Sequence, residues 1–237
     1  MKNIISAALF YFLLPSAIIA QTQNIDVDKD NVNAAGLFHT TGGTPYVEAK
    51  FTRLVSGTPY FKNEWMNGIL ILKSGIKYKG QLKLDLYSNE VHYLDDKKNE
   101  FVVDLPIKQV AFVSPDTSYL FLCAPFVQEE KSVSKDYWYL QLYSDSVSLY
   151  KYFQKKLSEN RPYSSATYEQ TIRTADIYWV YYNGTPIEVK KLKDAASLFG
   201  DKKDALNEFL KNSDNKHLSM DERMIAFVKY LNSLVKK

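Results

Sequence analysis

The stretch that most constrains this chain is residues 76–87, Ile-Lys-Tyr-Lys-Gly-Gln-Leu-Lys-Leu-Asp-Leu-Tyr. Ile76, Tyr78, Leu82, Leu84 and Leu86 alternate with Lys77, Lys79, Gln81, Lys83 and Asp85. A period of two puts the apolar set on one face of a strand and the polar set on the other. A strand with one dry face cannot stand alone, so neighbours must complete a sheet. Residues 68–73, Gly-Ile-Leu-Ile-Leu-Lys, lead into it through Ser74-Gly75. Further strands are expected at 90–95, 100–105, 107–113 and 118–124. Turn residues separate them: Ser88-Asn89, Asp-Asp-Lys-Lys-Asn at 95–99, and Ser114-Pro115-Asp116. Short strands at such regular spacing predict an antiparallel meander. A membrane barrel needs an apolar outer face, and Lys77, Lys79 and Lys83 occupy it here.

Two aromatic strands are expected next. In residues 137–144, Tyr137, Tyr139, Gln141 and Tyr143 alternate with Trp138, Leu140 and Leu142, and residues 147–153 pair back through Asp145-Ser146. The Trp/Leu side is the more apolar and is expected to face the core. The Tyr side is expected to lie under C-terminal helices, because an open aromatic stripe invites aggregation. Residues 154–175 are polar and read as a long connection. Residues 177–182, Asn183-Gly184 and residues 185–189 then form a hairpin, since Asn-Gly supplies the positive φ values of a tight type I′ turn. Pro186 marks an edge strand or a bulge.

After Lys193 the period shifts to about 3.6. A short helix is expected over 194–199, stopped at Gly200. Asp201 is expected to cap a second helix that turns Leu206, Phe209 and Leu210 inward. Ser219-Met-Asp-Glu222 is a capping box. The last helix carries Met224, Ile225, Val228, Leu231 and Val235 on one stripe. The fold class expected is α+β and mainly β: a curved antiparallel sheet, open barrel or sandwich with two or three C-terminal helices.

The N-terminus reads as an export signal: Lys2, an apolar run over 4–14, Pro15-Ser16, then Ala17–Ala20 before Gln21. The organisation expected is a signal peptide at 1–20, a mobile polar leader at 21–35, a β-rich domain at 36–190 and a helical segment at 191–237 packed on the sheet. Removing 1–20 takes away only Lys2 and leaves 29 Lys+Arg against 27 Asp+Glu. That balance gives no electrostatic case for nucleic acid. No transmembrane span is expected in the mature chain, and the destination is the periplasm or the medium. Cys123 is the only cysteine, so no internal disulfide forms, and it reads as a small apolar residue.

Chemistry is sparse in the sequence. Asp26, Asp28 and Asp30 lack the Gly and closing Glu of a calcium loop. His39, His92 and His217 stand at no metal-ligand spacing, so neither a metal nor a cofactor is expected. His92 alternates along its strand beside Glu90 and Leu94. Gly43-Thr-Pro-Tyr46 recurs as Gly57-Thr-Pro-Tyr60, two similar turns that lead into strands. The unusual quantity is Tyr, at eighteen residues. Tyr137, Tyr139, Tyr143, Tyr178 and Tyr182 are the candidate ligand-binding residues, against the plainer reading that Tyr suits strands.

Pro59-Tyr60, Trp65, Gly68, Gly75 and Tyr78, then the strand series, then Phe-Val-Lys-Tyr-Leu-Asn-Ser-Leu near the end, resemble a group of exported proteins of Bacteroidota with no assigned activity. Gln after the expected cleavage site fits the same group. The resemblance implies export and a β-then-helix layout and assigns no functional residue. Three functions stay open. The first is a non-catalytic envelope or secreted protein that binds a partner protein. The second is a binder of an apolar or saccharide ligand on the Tyr/Trp strands. The third is a hydrolase whose carboxylates meet only in space.

Overall fold

A computed structural model describes residues 31–32, 44–45, 51, 53–123, 137–163, 167–212 and 217–236. The export signal, most of the leader, His39 and the loop at 125–136 lie outside the described residues, as does the first Gly-Thr-Pro-Tyr string apart from Thr44 and Pro45.

The strands are β1 (Asn31–Val32), β2 (Thr44–Pro45), β3 (Leu54–Ser56), β4 (Met66–Leu72), β5 (Lys77–Asp85), β6 (Glu90–Leu94) and β7 (Glu100–Val102). They continue with β8 (Ile107–Val113), β9 (Ser118–Cys123), β10 (Trp138–Tyr143), β11 (Ser148–Asn160), β12 (Glu169–Tyr182) and β13 (Thr185–Val189). All join one curved, mainly antiparallel sheet in the order β13-β12-β11-β10-β9-β8-β4-β5-β6-β7-β2. β1 adds in parallel to β5, and β3 adds in parallel to β12.

Directly paired residues share a face, so the register divides the sheet into two surfaces. Leu70 faces Tyr78 and Val110; Val110 faces Phe121; Phe121 faces Leu140; Leu140 faces Lys151; Lys151 faces Tyr178. This inner face carries the main core, in which Leu70, Leu84, Val91, Val110 and Phe121 are fully buried. The apolar half of the expected alternation holds: Tyr78, Leu82, Leu84 and Leu86 are 0–3% exposed, while Asp85, expected on the wet side, points to the other face but is fully buried there. Ile76 departs from it at 39%, because it sits in the turn where its carbonyl accepts from the Leu72 amide.

The sheet is open in its strand order, but the segment from β3 to Phe61 spans the gap. Gln170 N–H donates to the Arg53 carbonyl, Tyr60 bridges Asp85, and Phe61 N–H donates to the Leu84 carbonyl. Phe61 drops into the inner face against Phe121, Tyr119 and Phe153, with ring centroids 4.8–5.6 Å away. Gly57 makes this strap feasible: its φ is +81°, and a Cβ there would lie 2.0 Å from the Ile172 carbonyl oxygen. The second Gly-Thr-Pro-Tyr string is therefore a strap between β12 and β5 as well as a turn.

Residues 154–175 differ from expectation. β11 and β12 form one long hairpin, paired without a bulge from Ser148↔Tyr181 to Asn160↔Glu169. The far half carries polar residues on both faces, so backbone pairing holds it and no period-two signal appears in the sequence. Asn183 and Gly184 adopt φ of 47° and 76°, the type I′ turn expected, and β13 with Pro186 is an edge strand.

Three helices follow: α1 (Leu192–Ala195), α2 (Lys203–Asn212) and α3 (Met220–Val235). Asp201 falls within a 3-10 turn, Gly200–Lys202, rather than at the cap of α2. The Ser219–Glu222 capping box is formed in full. The helices pack on the inner face beyond the main core, where Leu206, Met224, Phe227, Val228 and Leu231 meet Leu149, Val180 and Val189. Leu142 touches both clusters. No helix among the described residues is long and apolar enough to cross a membrane.

Candidate functional site

The five tyrosines singled out in the sequence do not share a surface. Trp138 and Leu140 face the core as expected, at 1% and 5% exposure. Tyr137 and Tyr139 face outward. Tyr143 does not join them, because the β10–β11 register slips between Gln141 and Tyr143 and pairs Tyr143 with Leu149 on the inner face. There Tyr143 packs against the helix cluster, with the Lys229 ammonium 5.8 Å from its ring centre. A bulge swaps the face of every later residue, and strict alternation could not foresee it. Tyr178 and Tyr182 also lie on the inner face, Tyr182 edge-on to Phe199 at 5.9 Å.

Tyr178 belongs to a polar junction between sheet and helix in which Tyr178 and Lys151 are buried and the Asp176 and Asp221 carboxylates are partly exposed. Its hydroxyl donates to Asp221 Oδ1 in the first turn of α3. Lys151 Nζ donates to both Asp221 oxygens at 2.9 and 3.1 Å and meets Asp176 Oδ2 at 2.8 Å. Burial, then the Asp221 bond, pushes the Tyr178 hydroxyl far above its usual range. An ammonium held in the interior is tolerable only with such partners. The Asp221 carboxylate also sits favourably at a helix N-terminus. The junction fixes where α3 docks, and Asn232 fixes its other end. Asn232 donates to the Val147 carbonyl and accepts from the Val147 amide, both at 2.9 Å.

The helices therefore cover Tyr143, Tyr178 and Tyr182, while Tyr139 lies on the opposite face, contrary to expectation. The register gathers a different aromatic set there. Tyr139 pairs with Tyr152 and Leu122, Tyr152 with Ile177, Tyr150 with Trp179, and Tyr181 lies two residues further along β12. Tyr152 contacts Tyr137 at 5.4 Å and Tyr139 at 5.5 Å between ring centres. Tyr139 is 7% exposed, and Tyr137, Tyr150, Tyr152, Trp179 and Tyr181 are half-buried. Burial, then the neighbouring Tyr152 and Tyr137, pushes the Tyr139 hydroxyl up to about 12. Burial raises Tyr150 and Tyr152 as well. Sequence reading missed Tyr150, Tyr152, Trp179 and Tyr181 as partners of Tyr139. The signal was present, since residues of one parity on paired strands meet once the register is known.

A second outer-face cluster lies at the far side of the sheet. Asp85 pairs with Glu90 and Lys83 with His92, so all four side chains share the outer face. Asp85 and His92 are fully buried. His92 Nδ1 lies 2.6 Å from Glu100 Oε1, and Nε2 lies 3.4 Å from Glu90 Oε2. Tyr60 stands edge-on to the imidazole at 5.7 Å, with the Lys83 ammonium 3.8 Å from the centre of its ring. Spacing hid this group, because it is built from three strands. Among the described residues, Asp85, Glu90 and His92 are the group whose ligand atoms could hold a metal ion.

Comparison with known protein families, with curated proteins and with solved structures finds no match for this chain.

Proposed function

We propose that this is an exported, non-catalytic binding protein of the cell envelope or the medium, and that it takes a partner protein on its outer aromatic face. The observation that carries this reading is the strip Tyr137, Tyr139, Tyr150, Tyr152, Trp179 and Tyr181, assembled over three neighbouring strands on the face away from the helices. Tyr and Trp supply large, stiff contact area at low entropic cost and are enriched at the centres of protein interfaces. A broad aromatic strip spread over three strands of one sheet face offers a protein-sized contact area. Export rests on the signal-like residues 1–20 and on the resemblance to exported Bacteroidota proteins.

The test is affinity capture from an envelope fraction with the wild type and with a Tyr137→Ala, Tyr181→Ala double variant. Both residues are half-buried at the rim of the strip, so the double variant should keep its circular dichroism and lose only about 1 kcal/mol of stability. The expected result is one specific protein captured by the wild type and lost by the variant. Capture that is equal for both chains refutes the surface. A co-purifying glycan or lipid lost with the variant, and no protein, would favour the ligand-binding reading instead.

A further inference from the structure

We propose that Asp85, Glu90 and His92 form a binding site for one first-row divalent cation, of the zinc or manganese type, with Glu100 orienting the histidine. The local fold builds the site. Glu90 and His92 are two apart on β6, so both point to the outer face. Asp85 reaches the same face across the hairpin, because it is the residue paired with Glu90. Glu100 comes from β7, the next strand, and touches His92 Nδ1 at 2.6 Å.

The geometry resembles that of a metal-bound histidine. Such a histidine usually gives its second ring N–H to a carboxylate, which fixes the tautomer and aims the other nitrogen at the ion. Glu100 fills that role at Nδ1 and so assigns Nε2 as the ligand atom. Nε2 lies 3.4 Å from Glu90 Oε2, an ion-pair contact. Two ligands about 2.0–2.1 Å from a tetrahedral ion lie roughly 3.3–3.4 Å apart, so this separation already matches one edge of a coordination tetrahedron. The ligand atoms of Asp85, Glu90 and His92 all lie within 4.8 Å of one another, so side-chain shifts of about 1.5 Å in total bring in the third corner. Asp85 Oδ1 accepts the Tyr87 and Ser88 amides, each at 2.8 Å, which holds the carboxylate still. Its Oδ2 is the oxygen assigned to the ion, and a fourth position is left for solvent.

Charge and burial agree with a cation. Three carboxylates gather around His92; the Lys83 ammonium is turned onto the Tyr60 ring, and Lys155 is the other cation whose charge reaches Asp85. The imidazole selects against calcium and magnesium, which prefer all-oxygen shells. The mixed nitrogen and oxygen set suits zinc and manganese. With two carboxylates and one imidazole, the ion would tie β5 to β6, and the Glu100 contact with His92 would carry that link to β7.

The test uses the full chain, stripped with a chelator and titrated with zinc chloride, manganese chloride or calcium chloride by calorimetry, with thermal unfolding alongside. Zinc or manganese is expected to bind at one ion per chain and to raise the unfolding midpoint, and calcium to do neither. Glu90 is the decisive position, because its side chain is 35% exposed and Glu90→Gln keeps its shape. That variant should weaken binding at least tenfold while folding normally. Glu100→Gln should weaken it about 10–100-fold with the stoichiometry unchanged, as loss of an orienting carboxylate does. Glu188→Gln, on distant β13, should bind like the wild type. Cobalt loaded in place of zinc should show visible absorption that Glu90→Gln abolishes. No saturable binding by the wild type, or equal affinity in Glu90→Gln, overturns the site.

Discussion

Replacing Asn232 by Ala tests whether the helices are part of one cooperative fold. Asn232 is 3% exposed on the buried side of α3. Its amide donates to the Val147 carbonyl, and its carbonyl accepts from the Val147 amide. Removing the side chain deletes three hydrogen bonds, these two and one to the Val228 carbonyl a turn earlier, with a net worth of about 0.5–1.5 kcal/mol each. It also leaves a buried N–H and a buried C=O in search of partners, at about 1–3 kcal/mol each when none is found. Local adjustment recovers part of this, so the expected loss is about 2–5 kcal/mol. With a urea slope of about 2–3 kcal/mol/M, the midpoint should fall by roughly 1–2 M with the slope unchanged. The exposed neighbour Ser233→Ala should move it by less than about 0.5 kcal/mol. Fluorescence should report on the sheet tryptophans and far-ultraviolet circular dichroism on the helices, and the two curves should coincide. A loss below about 1 kcal/mol, or an early transition in which only the helical signal melts, would refute the reasoning.

Leu84→Ala should cost about 2–5 kcal/mol in the same assay, because Leu84 is fully buried in the main core. Lys83→Ala should cost only about 0.5–1 kcal/mol, the worth of its contact with Tyr60; equal losses would mean the β5 register is wrong. Gly57→Ala should destabilise by about 1–3 kcal/mol, since φ is +81° and the new methyl meets the Ile172 carbonyl; thermal unfolding at an unchanged midpoint would remove the strap from the account. Tyr139 and Tyr178 are raised above the normal tyrosine value of 10.0, so the folded state holds their protons more tightly than the unfolded state. Their contribution is intact below pH 10 and is lost as pH rises from 10 toward 12 and beyond. Urea midpoints should therefore fall over that range, less steeply in Tyr139→Phe; a midpoint that is flat there contradicts the burial.

Much of the fold was legible because alternation and turn chemistry are local. The strand over Lys77–Asp85, the Asn183-Gly184 turn and the Ser219–Glu222 box each carry their own signal, and each formed. The far half of the β11–β12 hairpin was not legible, because its dry face is only the Leu157–Ile172 pair, set among Lys155, Lys156, Glu159 and Arg173, which is too little to show a period of two. The candidate surfaces were less legible still. The slip between Gln141 and Tyr143 changes the face of Tyr143, and it depends on pairing with β11 rather than on composition. Asp85, Glu90, His92 and Glu100 meet across three strands, and only Glu90-x-His92 hinted at them. Tyr178 looked like a platform residue because nothing local announces that Asp221 will accept from its hydroxyl and that the Lys151 ammonium will lie near its ring.

The central claim is that the outer aromatic face, not the helical side, meets a partner protein. Site-specific photo-crosslinking in intact cells tests it most directly. A photoreactive phenylalanine derivative would replace Tyr152 in one chain and the exposed Glu208 on α2 in another. The account predicts a discrete higher-mass protein adduct from position 152 and none from position 208. An adduct from position 208 alone, or no adduct from position 152 in cells that export the folded chain, would contradict it.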